Sequence, residues 1–343
     1  MKVLLCPDSF KGALSAPEVA AAMCTGWRRV FQNPLLVLLP LADGGEGTLD
    51  VLLSATGGEP FTESVTGPLG EPIEASWGLL PDGTAVIELA QAAGLTLVPP
   101  DQRDPKRTTT RGVGELLRQA MRHTNKLLIT LGGSATNDGG AGILEVFDYQ
   151  QQPGYEVRIA CDVDNPLTGP RGASKVFGPQ KGATPGDVKL LDAALVRFTQ
   201  VLGQPEQPGD GAAGGAAYGL RWLFPGARLV PGIDLVLDAL GFEAHCKGTN
   251  LILTGEGRLD SQTLGGKVVA GVARRAKAHG VPVIALVGSI GSDVTGEALH
   301  TAGITATFPL APGPCTLDES LRNTALWLAD TSERVARLYS SMF

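Results

Sequence analysis

Short apolar runs alternate along the chain with longer segments of helical periodicity, an order that predicts a parallel sheet covered by helices. Residues 3–6 form an apolar run that predicts the first strand. A turn follows, and then a helix capped by Ser15, with proline and glutamate in its first turn. Residues 35–40 predict a second buried strand, which leads to another helix from about Thr48. Such alternation is typical of α/β folds.

The same order of elements returns near the carboxyl end. The apolar runs at residues 250–253, 283–287 and 304–308 predict three more strands. Helices are predicted at residues 267–279, closed by a glycine, and from about Leu317 onward. The two ends of the chain therefore have the same predicted α/β character.

Between these stretches the pattern changes to strands joined by tight turns. Residues 73–79 and 85–89, separated by a proline, an aspartate and a glycine, predict a hairpin. We therefore expect a doubly wound, mostly parallel, Rossmann-like α/β domain from residues 1–60 and 250–343, with a second α/β domain, residues 61–249, inserted into it. The active site would then lie in the cleft between the domains. A single division near residue 150 is the alternative.

Composition narrows the class of protein. A chain of 343 residues, 43% hydrophobic and 18% charged, is long enough for two domains. A net charge of −7 without a long basic run argues against nucleic-acid binding. The longest apolar stretch, residues 35–42, is too short to span a membrane, and residues 1–5 predict a strand rather than a secretory leader. Five scattered cysteines are typical of reduced thiols in the cytoplasm, the expected location.

Six turns rich in glycine, proline or acidic residues follow apolar segments and carry most of the candidate chemistry. In LGGSATNDGGAG, residues 131–142, glycines let backbone N–H groups approach a ligand, while Ser134 and Asn137 supply polar contacts and Asp138 metal-binding oxygens. A turn rich in helix-capping residues is the structural alternative. The other turns are ADGGEGT (42–48), CDVDNP (161–166), FGPQKGA (177–183), GAAGGAA (211–217) and TGEGRLDSQTLGGK (254–267). Several such loops at strand ends suit a phosphate and Mg²⁺ site.

Asp43 is the first candidate for a catalytic base. Its neighbours Gly44 and Gly45 carry no side chains, so a substrate would be able to approach closely. Capping of the helix that starts near Thr48 is the alternative role for this aspartate.

Two pairs of acidic residues also lie in the turns. Glu256 is predicted to bind metal and Asp260, four residues later, to take part in catalysis, provided that their segment is a loop after a strand. Arg258 between them would bind an anion, with a structural ion pair as the alternative. Asp162 and Asp164 fall on one side of an extended segment by its period of two, which favours a metal role unless both are solvated.

Cationic and polar side chains near the turns are candidates for binding anions. Lys11 follows the first strand, where it would bind a substrate carboxylate or a transferring phosphate, although a solvated lysine is the alternative. Asp8 and Ser9 precede it and are assigned to substrate binding. Lys181, with Gln180 as a neighbouring hydrogen-bond donor, is a second candidate for phosphate contact.

Lys267 follows two glycines at a predicted helix start, which invites comparison with a P-loop. The first glycine of GxxxxGK would fall on Ser261, and neither serine nor threonine follows the lysine. The pattern therefore fails, and we expect phosphate binding to use other loops.

The motifs together resemble a known family. PDSFKGALSA (7–16), ADGGEGT, GGSATNDGGAG, CDVDNPL, GPQKGA, GAAGG and TGEGRLDSQT resemble, in this order, the type I glycerate kinases of bacteria, from residue 1 to about 287. The resemblance implies phosphorylation of D-glycerate by ATP with Mg²⁺, at the 2-hydroxyl, on a two-domain α/β fold. D-glycerate and ATP are then the partners, with no nucleic acid or membrane, and a homodimer is left open.

One departure from the family and three alternative functions complete the sequence analysis. The family has a longer segment where this chain has residues 143–160, so either a loop is trimmed or a mobile stretch is missing. The product would be 3-phosphoglycerate if the 3-hydroxyl reacted. Another small hydroxy acid would be the acceptor if the pocket differed. A nucleotide- or metabolite-binding protein without turnover is the non-enzymatic alternative.

Overall fold

A computed structural model describes residues 1–342, apart from the side chain of Gln262. Within this part of the chain, the strands are β1 (Lys2–Pro7), β2 (Leu35–Leu38), β3 (Glu59–Thr66), β4 (Pro72–Leu79), β5 (Thr84–Glu88), β6 (Lys126–Thr130), β7 (Glu156–Ala160), β8 (Arg228–Val230), β9 (Leu251–Leu259), β10 (Val283–Ile290) and β11 (Ala306–Pro309). The helices are α1 (Ala16–Arg28), α2 (Thr48–Thr56), α3 (Leu89–Ala93), α4 (Arg111–Ala120), α5 (Ala141–Val146), α6 (Ala173–Phe177), α7 (Pro185–Leu202), α8 (Ala216–Leu223), α9 (Gly232–Ala239), α10 (Phe242–Cys246), α11 (Ser261–Leu264), α12 (Val268–Lys277), α13 (Gly296–Thr301) and α14 (Leu317–Ser340). None of these helices has both the length and the apolar character needed to cross a membrane.

The chain divides into two compact units. Unit 1 combines Met1–Asp43 with the chain from Ile233 onward, and unit 2 is Gly44–Gly232. The chain passes from unit 1 to unit 2 after Asp43 and returns to unit 1 after Gly232. Both points come earlier in the sequence than the predicted domain boundaries at residues 60 and 250, and those boundaries stay a prediction.

Unit 1 is built on a five-stranded parallel sheet in the order β2-β1-β9-β10-β11. From β1 the chain adds β2 on one side, and after the long insertion it adds β9, β10 and β11 on the other. The strand order therefore reverses between β1 and β9. In open α/β sheets, ligands bind outside the carboxyl ends of the strands at such a reversal.

Helices bury the central strands of this sheet. Val3 and Leu5 on one face of β1 belong to a core that includes Trp27 of α1 and Leu328 of α14. Leu4 alternates to the opposite face and is also fully buried. On α12, which contacts β9 and β10, the apolar side chains are buried as well. The predicted α/β fold with a mostly parallel sheet is confirmed.

The prediction that residues 35–40 form a buried strand is wrong about burial. The strand itself exists as β2, but it is the edge strand of the sheet. Leu35 is 59% exposed and Leu38 is 43% exposed, because an edge strand has a neighbour on one side only. Local apolar character predicts a strand without showing its place in the sheet.

Unit 2 contains a six-stranded mixed sheet in the order β3-β4-β5-β6-β7-β8. The predicted hairpin is confirmed: β4 and β5 are antiparallel, and the Gly83 N–H donates to the Leu80 carbonyl in the turn. From β5 to β8 the strands are parallel. Trp77, Ile129 and Phe224 are central members of its apolar core.

A largely buried ion pair lies in unit 2. The Arg221 guanidinium donates to both carboxylate oxygens of Asp210 at 2.7 Å. Asp210, whose side chain is fully buried, also accepts the Gln207 N–H at 2.7 Å. The carboxylate is thus compensated by three hydrogen bonds, and loss of one partner would leave the other charge buried.

We expect Asp210→Ala to lower the free energy of unfolding by about 3–5 kcal/mol, because the Arg221 charge loses its partner in a buried site. Urea denaturation measures this change. Arg171→Ala is the matched control: its ion pair with Asp164 has the same type of contact at 2.8 Å, but both side chains are mainly exposed. The control should change stability by less than about 1 kcal/mol. Equal effects of the two substitutions would contradict the prediction.

Candidate active site

Three carboxylates lie near the carboxyl ends of three adjacent strands in unit 1. Asp8 directly follows β1, and its N–H donates to the Gly255 carbonyl of β9 at 2.9 Å. Asp43 follows β2, whose extension is tied to β1 by a hydrogen bond from the Leu41 N–H to the Pro7 carbonyl. Glu256 lies within β9 itself. We refer to Asp8, Asp43 and Glu256 as the carboxylate edge; it stands at the reversal of strand order.

Glu256 is the most enclosed member of the carboxylate edge. The residue is only 7% exposed, and its Oε1 atom has no hydrogen-bond partner among the described atoms. Burial raises the pKa of this carboxyl to about 7, and the negative charge of Asp8 adds to the rise. A hydrogen bond from Thr263 and the nearby ammonium of Lys267 lower it in part. An isolated carboxylate here is costly, so the site favours a cation or a hydrogen-bond donor.

The pKa of the Asp8 carboxyl is raised in the same way as that of Glu256. Burial raises the pKa of its carboxyl to about 7, and the charge of Asp43 acts in the same direction. The Ser9 N–H donates to Asp8 Oδ1 at 2.6 Å, and this bond together with the Lys11 charge lowers the pKa. Lys11 itself is exposed. The first-strand turn thus brings Asp8, Ser9 and Lys11 together, as expected.

The carboxylate edge has the ligand chemistry that Mg²⁺ requires. Mg²⁺ is commonly held by one or two carboxylates, with waters and substrate phosphates as its other ligands. Glu256 and Asp8 fit this pattern, since the charge of Asp8 is close enough to raise the pKa of Glu256 and one buried oxygen of Glu256 lacks a partner. Among the described residues, no group of three or more histidines, cysteines or acids is arranged to hold a metal ion. A metal at this edge would therefore take its remaining ligands from solvent or substrate.

The expected loop around Glu256 is part of a strand. The prediction that β9 ends at Leu253 is wrong, because pairing with β10 continues through Glu256 to Leu259. A Cβ atom on Gly255 would lie 2.2 Å from the Leu286 carbonyl oxygen, so this position needs glycine for close strand packing. The glycines here extend the sheet rather than open a loop.

Arg258 and Asp260 lie within ion-pair distance of each other. Arg258 is mainly exposed, and its Nε lies 3.7 Å from Asp260 Oδ2. Asp260 Oδ1 accepts the Thr263 N–H at 3.3 Å at the start of α11. The catalytic role of Asp260 and the anion-binding role of Arg258 stay predictions.

In unit 2, the predicted turn at residues 131–142 is held by a buried lysine. Lys181 is 2% exposed, and its Nζ donates to Ser134 Oγ at 2.8 Å and to the Thr136 carbonyl at 2.6 Å. Asn137 Nδ2 donates to Ser174 Oγ at 2.9 Å. Ser134 and Asn137 are therefore fixed within a polar network, while Gln180 beside the lysine is exposed. Their predicted contacts with substrate or phosphate stay predictions.

Asp138 organises the second half of this turn. Its Oδ2 accepts the Thr110 N–H at 2.9 Å, the Thr110 hydroxyl at 2.7 Å and the Gly142 N–H at 3.3 Å, and its Oδ1 accepts the Gly140 N–H at 3.1 Å. These bonds connect the start of α4 with the start of α5. Both oxygens therefore have donors already, and the metal role of Asp138 stays a prediction.

Asp162 and Asp164 lie beyond the end of β7 at Ala160 and have different partners. Asp162 Oδ1 accepts the Gly232 N–H at 2.8 Å. Asp164 pairs with Arg171, which lowers the pKa of this exposed carboxyl. The segment is not a strand, so the period of two does not apply to it. The metal roles of both acids stay predictions.

Gly44 and Gly132 serve close packing inside unit 2, in which Gly132 lies against Gly45. Gly44 has a φ of +86°, and a Cβ atom there would lie 2.7 Å from the Ala160 Cβ. Likewise, a Cβ atom on Gly132 would lie 2.6 Å from the Gly45 Cα. The turn that follows Asp43 therefore needs glycine for its own packing, and its predicted use in substrate approach is untested.

The motifs missed one buried acid, Glu88. It ends β5 with 1% exposure, and its Oε1 accepts the Leu49 N–H at the start of α2 at 2.8 Å. Burial raises the pKa of this carboxyl, while bonds from Leu49, Gln91 and Gly47 lower it in part. The sequence did contain one signal for this residue, a glutamate at the end of an apolar strand. Glu88 fixes the helix that follows the ADGGEGT turn.

A parallel α/β sheet with acidic side chains at its reversal is typical of enzymes that bind small ligands at the carboxyl ends of the strands. A family model described as "Glycerate kinase family" matches residues 3–152 and 147–340. The chain belongs to this family of phosphotransferases. It is 43% identical to the glycerate kinase of Bacillus subtilis (strain 168) over 384 positions, which cover 100% of both chains. It is 42% identical to the glycerate 2-kinase of Escherichia coli (strain K12), which covers 98% of this chain and 97% of that protein.

A solved structure shares the fold. The crystal structure of putative glycerate kinase 2 from Salmonella typhimurium LT2 is similar with a TM-score of 0.84 and 40% sequence identity. The match covers 99% of this chain and 98% of that one. Together with the family match, this confirms the resemblance found in the motifs.

The comparisons also bear on the short segment at residues 143–160. The 384 aligned positions shared with the Bacillus subtilis protein exceed the 343 residues of this chain, so the alignment contains gaps. The two parts of the family match meet at residues 147–152, inside this segment. Here the chain passes from α5 to β7 through Asp148 and Tyr149, both in the left-handed region with φ near +52° and +53°.

Lys181 gives a prediction about the pH dependence of stability. Burial lowers the pKa of its amine from 10.5 to about 7, an effect that Asp138 partly offsets. Between these values the unfolded chain binds one more proton, so the wild type should gain stability as pH rises from about 7 towards 10, by at most about 1.4 kcal/mol per pH unit. The difference in unfolding free energy between wild type and Lys181→Met should follow this trend in urea titrations. Lys189→Met, at an exposed position on α7, should show no such trend; a pH-independent difference for Lys181→Met would contradict the assignment.

Proposed function

We propose that the protein transfers the γ-phosphoryl group of ATP to the 2-hydroxyl of D-glycerate and releases 2-phosphoglycerate and ADP. Membership in a kinase family supports ATP as the donor. The name of the Escherichia coli relative, glycerate 2-kinase, supports the 2-hydroxyl as the acceptor. The observation that carries the proposal is the buried, unpartnered Oε1 of Glu256 beside Asp8 at the reversal of the sheet.

Glu256 and Asp8 would hold Mg²⁺. When bound, the ion neutralises charge on the phosphate oxygens of the nucleotide. The unpartnered Oε1 supports this assignment, because a cation would compensate the buried carboxylate. Placing Asp8 with Glu256 changes the set of metal ligands expected from the sequence, in which Asp8 was assigned to substrate.

Asp43 would act as the base. Its carboxylate accepts the proton of the glycerate 2-hydroxyl while the hydroxyl oxygen forms a bond to the γ-phosphorus. The bond between that phosphorus and the bridging oxygen breaks, and ADP leaves with the electron pair. The interaction of Asp43 with Asp8 supports this role, since it places the carboxylate close to the proposed metal ligands. Lys11 would bind the glycerate carboxylate or the transferring phosphoryl group.

We also propose a cytoplasmic location. The five cysteines, Cys6, Cys24, Cys161, Cys246 and Cys315, are all free thiols. Structural disulfides are typical of oxidising compartments, whereas free thiols persist in the cytoplasm.

The product tests the proposed reaction directly. Incubation with D-glycerate, ATP and Mg²⁺ should consume ATP and give the phosphorus NMR signal of 2-phosphoglycerate. A reaction without D-glycerate is the control for hydrolysis of ATP by water. Formation of 3-phosphoglycerate would reject the 2-hydroxyl as the acceptor, and an absence of phosphoglycerate would reject D-glycerate as the substrate.

Asp43→Asn tests the proposed base. The amide has nearly the same shape but cannot take the proton, so kcat should fall by about 10²–10⁴-fold, with a much smaller change in KM for ATP. Steady-state kinetics measures both values. Asp50→Asn, an exposed acid on α2, is the matched control and should keep wild-type turnover. An Asp43→Asn enzyme with turnover near that of the wild type would exclude Asp43 as the base.

A further inference from the structure

We propose that the amino-terminal end of α12, with Gly265, Gly266 and Lys267 before it, binds a phosphoryl group of the nucleotide. This inference rests on the proposed function for the identity of the ligand as ATP. Residues 265–267 end the TGEGRLDSQTLGGK turn, whose pattern is not that of a P-loop, and a phosphate site here replaces the expectation that phosphate binding uses only other loops. The argument starts from the place of α12 in the sheet of unit 1.

The helix stands beside the reversal of strand order. α12 follows β9 in the chain after the short helix α11, and it contacts both β9 and β1. Ligand phosphates in α/β proteins commonly bind where a strand next to the reversal leads into its helix. The segment before α12 thus occupies the position at which the fold type places a phosphate.

The amino-terminal end of α12 also has the positive charge that an anion needs, while the N–H groups of Gly265, Gly266 and Lys267 themselves donate to the Ser261 and Thr263 carbonyls. Lys267 occupies the N-cap position with an extended ψ of −173°, and no described side chain caps the helix. The first turn contains no acidic residue, whereas Asp and Glu are common at such positions. The first backbone N–H groups of a helix have no partners inside the helix. Phosphate oxygens would accept hydrogen bonds from these groups and from the Lys267 ammonium.

Glu256, which would hold the Mg²⁺ of the proposed function, is the second indication of a missing ligand beside this helix. Its Oε1 is buried without a described partner, and the charge of Lys267 acts on this carboxyl. Lys267 does not complete the hydrogen bonding of Glu256, because Oε1 remains unpartnered with the lysine in place. A cation bound to a phosphate would satisfy both groups: the cation would contact Glu256, and the phosphate oxygens would contact Lys267 and the helix.

The backbone before the helix is open to such a ligand. Gly266 has a φ of +121°, a conformation that side chains disfavour, and a Cβ atom there would have no neighbour within 4 Å. Gly265 is exposed. Unlike Gly44 or Gly255, then, Gly266 is not required by packing against the rest of the chain. Its conformation turns the backbone into α12 and leaves space on the outside for a phosphoryl group.

Calorimetric titration of the full-length protein without glycerate tests the site. Mg-ATP and magnesium tripolyphosphate, a probe that carries phosphates but no nucleoside, would be titrated at constant ionic strength. Lys267→Met should raise the Kd of both ligands by about 10–100-fold, because each loses a hydrogen bond from a charged donor. Lys277→Met, at the opposite, exposed end of the same helix, should leave both Kd values unchanged.

Any outcome other than the expected one argues against a phosphate site at α12. Unchanged affinity of Lys267→Met for both ligands would overturn it, and a loss confined to ATP would move the contact from phosphate to nucleoside. Thermal unfolding would check that the variant is folded, and Lys267→Gln would replace it if it is not. Because glycerate is absent, failure of the protein to phosphorylate glycerate would reject the proposed function while leaving this binding test unaffected.

Discussion

The parallel pairing of β1 with β9 is the constraint on which the site in unit 1 depends. The register aligns Val3 with Leu251 and Pro7 with Gly255, and the Thr254 hydroxyl donates to the Cys6 carbonyl at 2.8 Å across the pair. This register decides which side chains meet where β1 ends. Asp8 is the first residue after β1, and Glu256 is the next residue along β9, so two carboxyl groups share a partly dehydrated edge. Burial raises the pKa of both carboxyl groups, and the alignment adds the charge of Asp8 to the rise at Glu256, so this edge favours a cation.

Much of this arrangement could be predicted from local patterns, but the pairing could not. The apolar runs at residues 3–6 and 250–253 were both predicted to be strands, and both are. Apolar character carries no information about which parallel strand lies next to which, since the partners of β1 are Leu35–Leu38 and a strand nearly 250 residues away. Asp8 and Glu256 were consequently assigned to different tasks, substrate and metal, although the fold brings them together. The family motifs mark the candidate turns without showing which of them meet.

Residue type alone also left the roles of acids and glycines open. A carboxylate can bind a metal, cap a turn or pair with an arginine, and the choice depends on donors that are distant in sequence. Asp138 accepts hydrogen bonds from Thr110, and Asp164 pairs with Arg171; neither partner was evident from the motifs. Glycine is equally ambiguous. The motif alone does not distinguish Gly44, which is needed for packing against Ala160, from Gly266, which faces open space.

The discontinuity of unit 1 has a consequence for how the protein is made. Unit 2 is continuous in sequence, so all of its strands are available once residue 232 has been synthesised. β1, in contrast, waits for β9 while about 250 residues are added, which takes on the order of ten seconds or more at ribosomal rates. During this time the side of β1 that will pair with β9 is an unpaired apolar edge, a template for aggregation. We therefore expect the strand pairing that creates the carboxylate edge to be a slow, non-local step of folding, during which the nascent amino-terminal strands are exposed to aggregation.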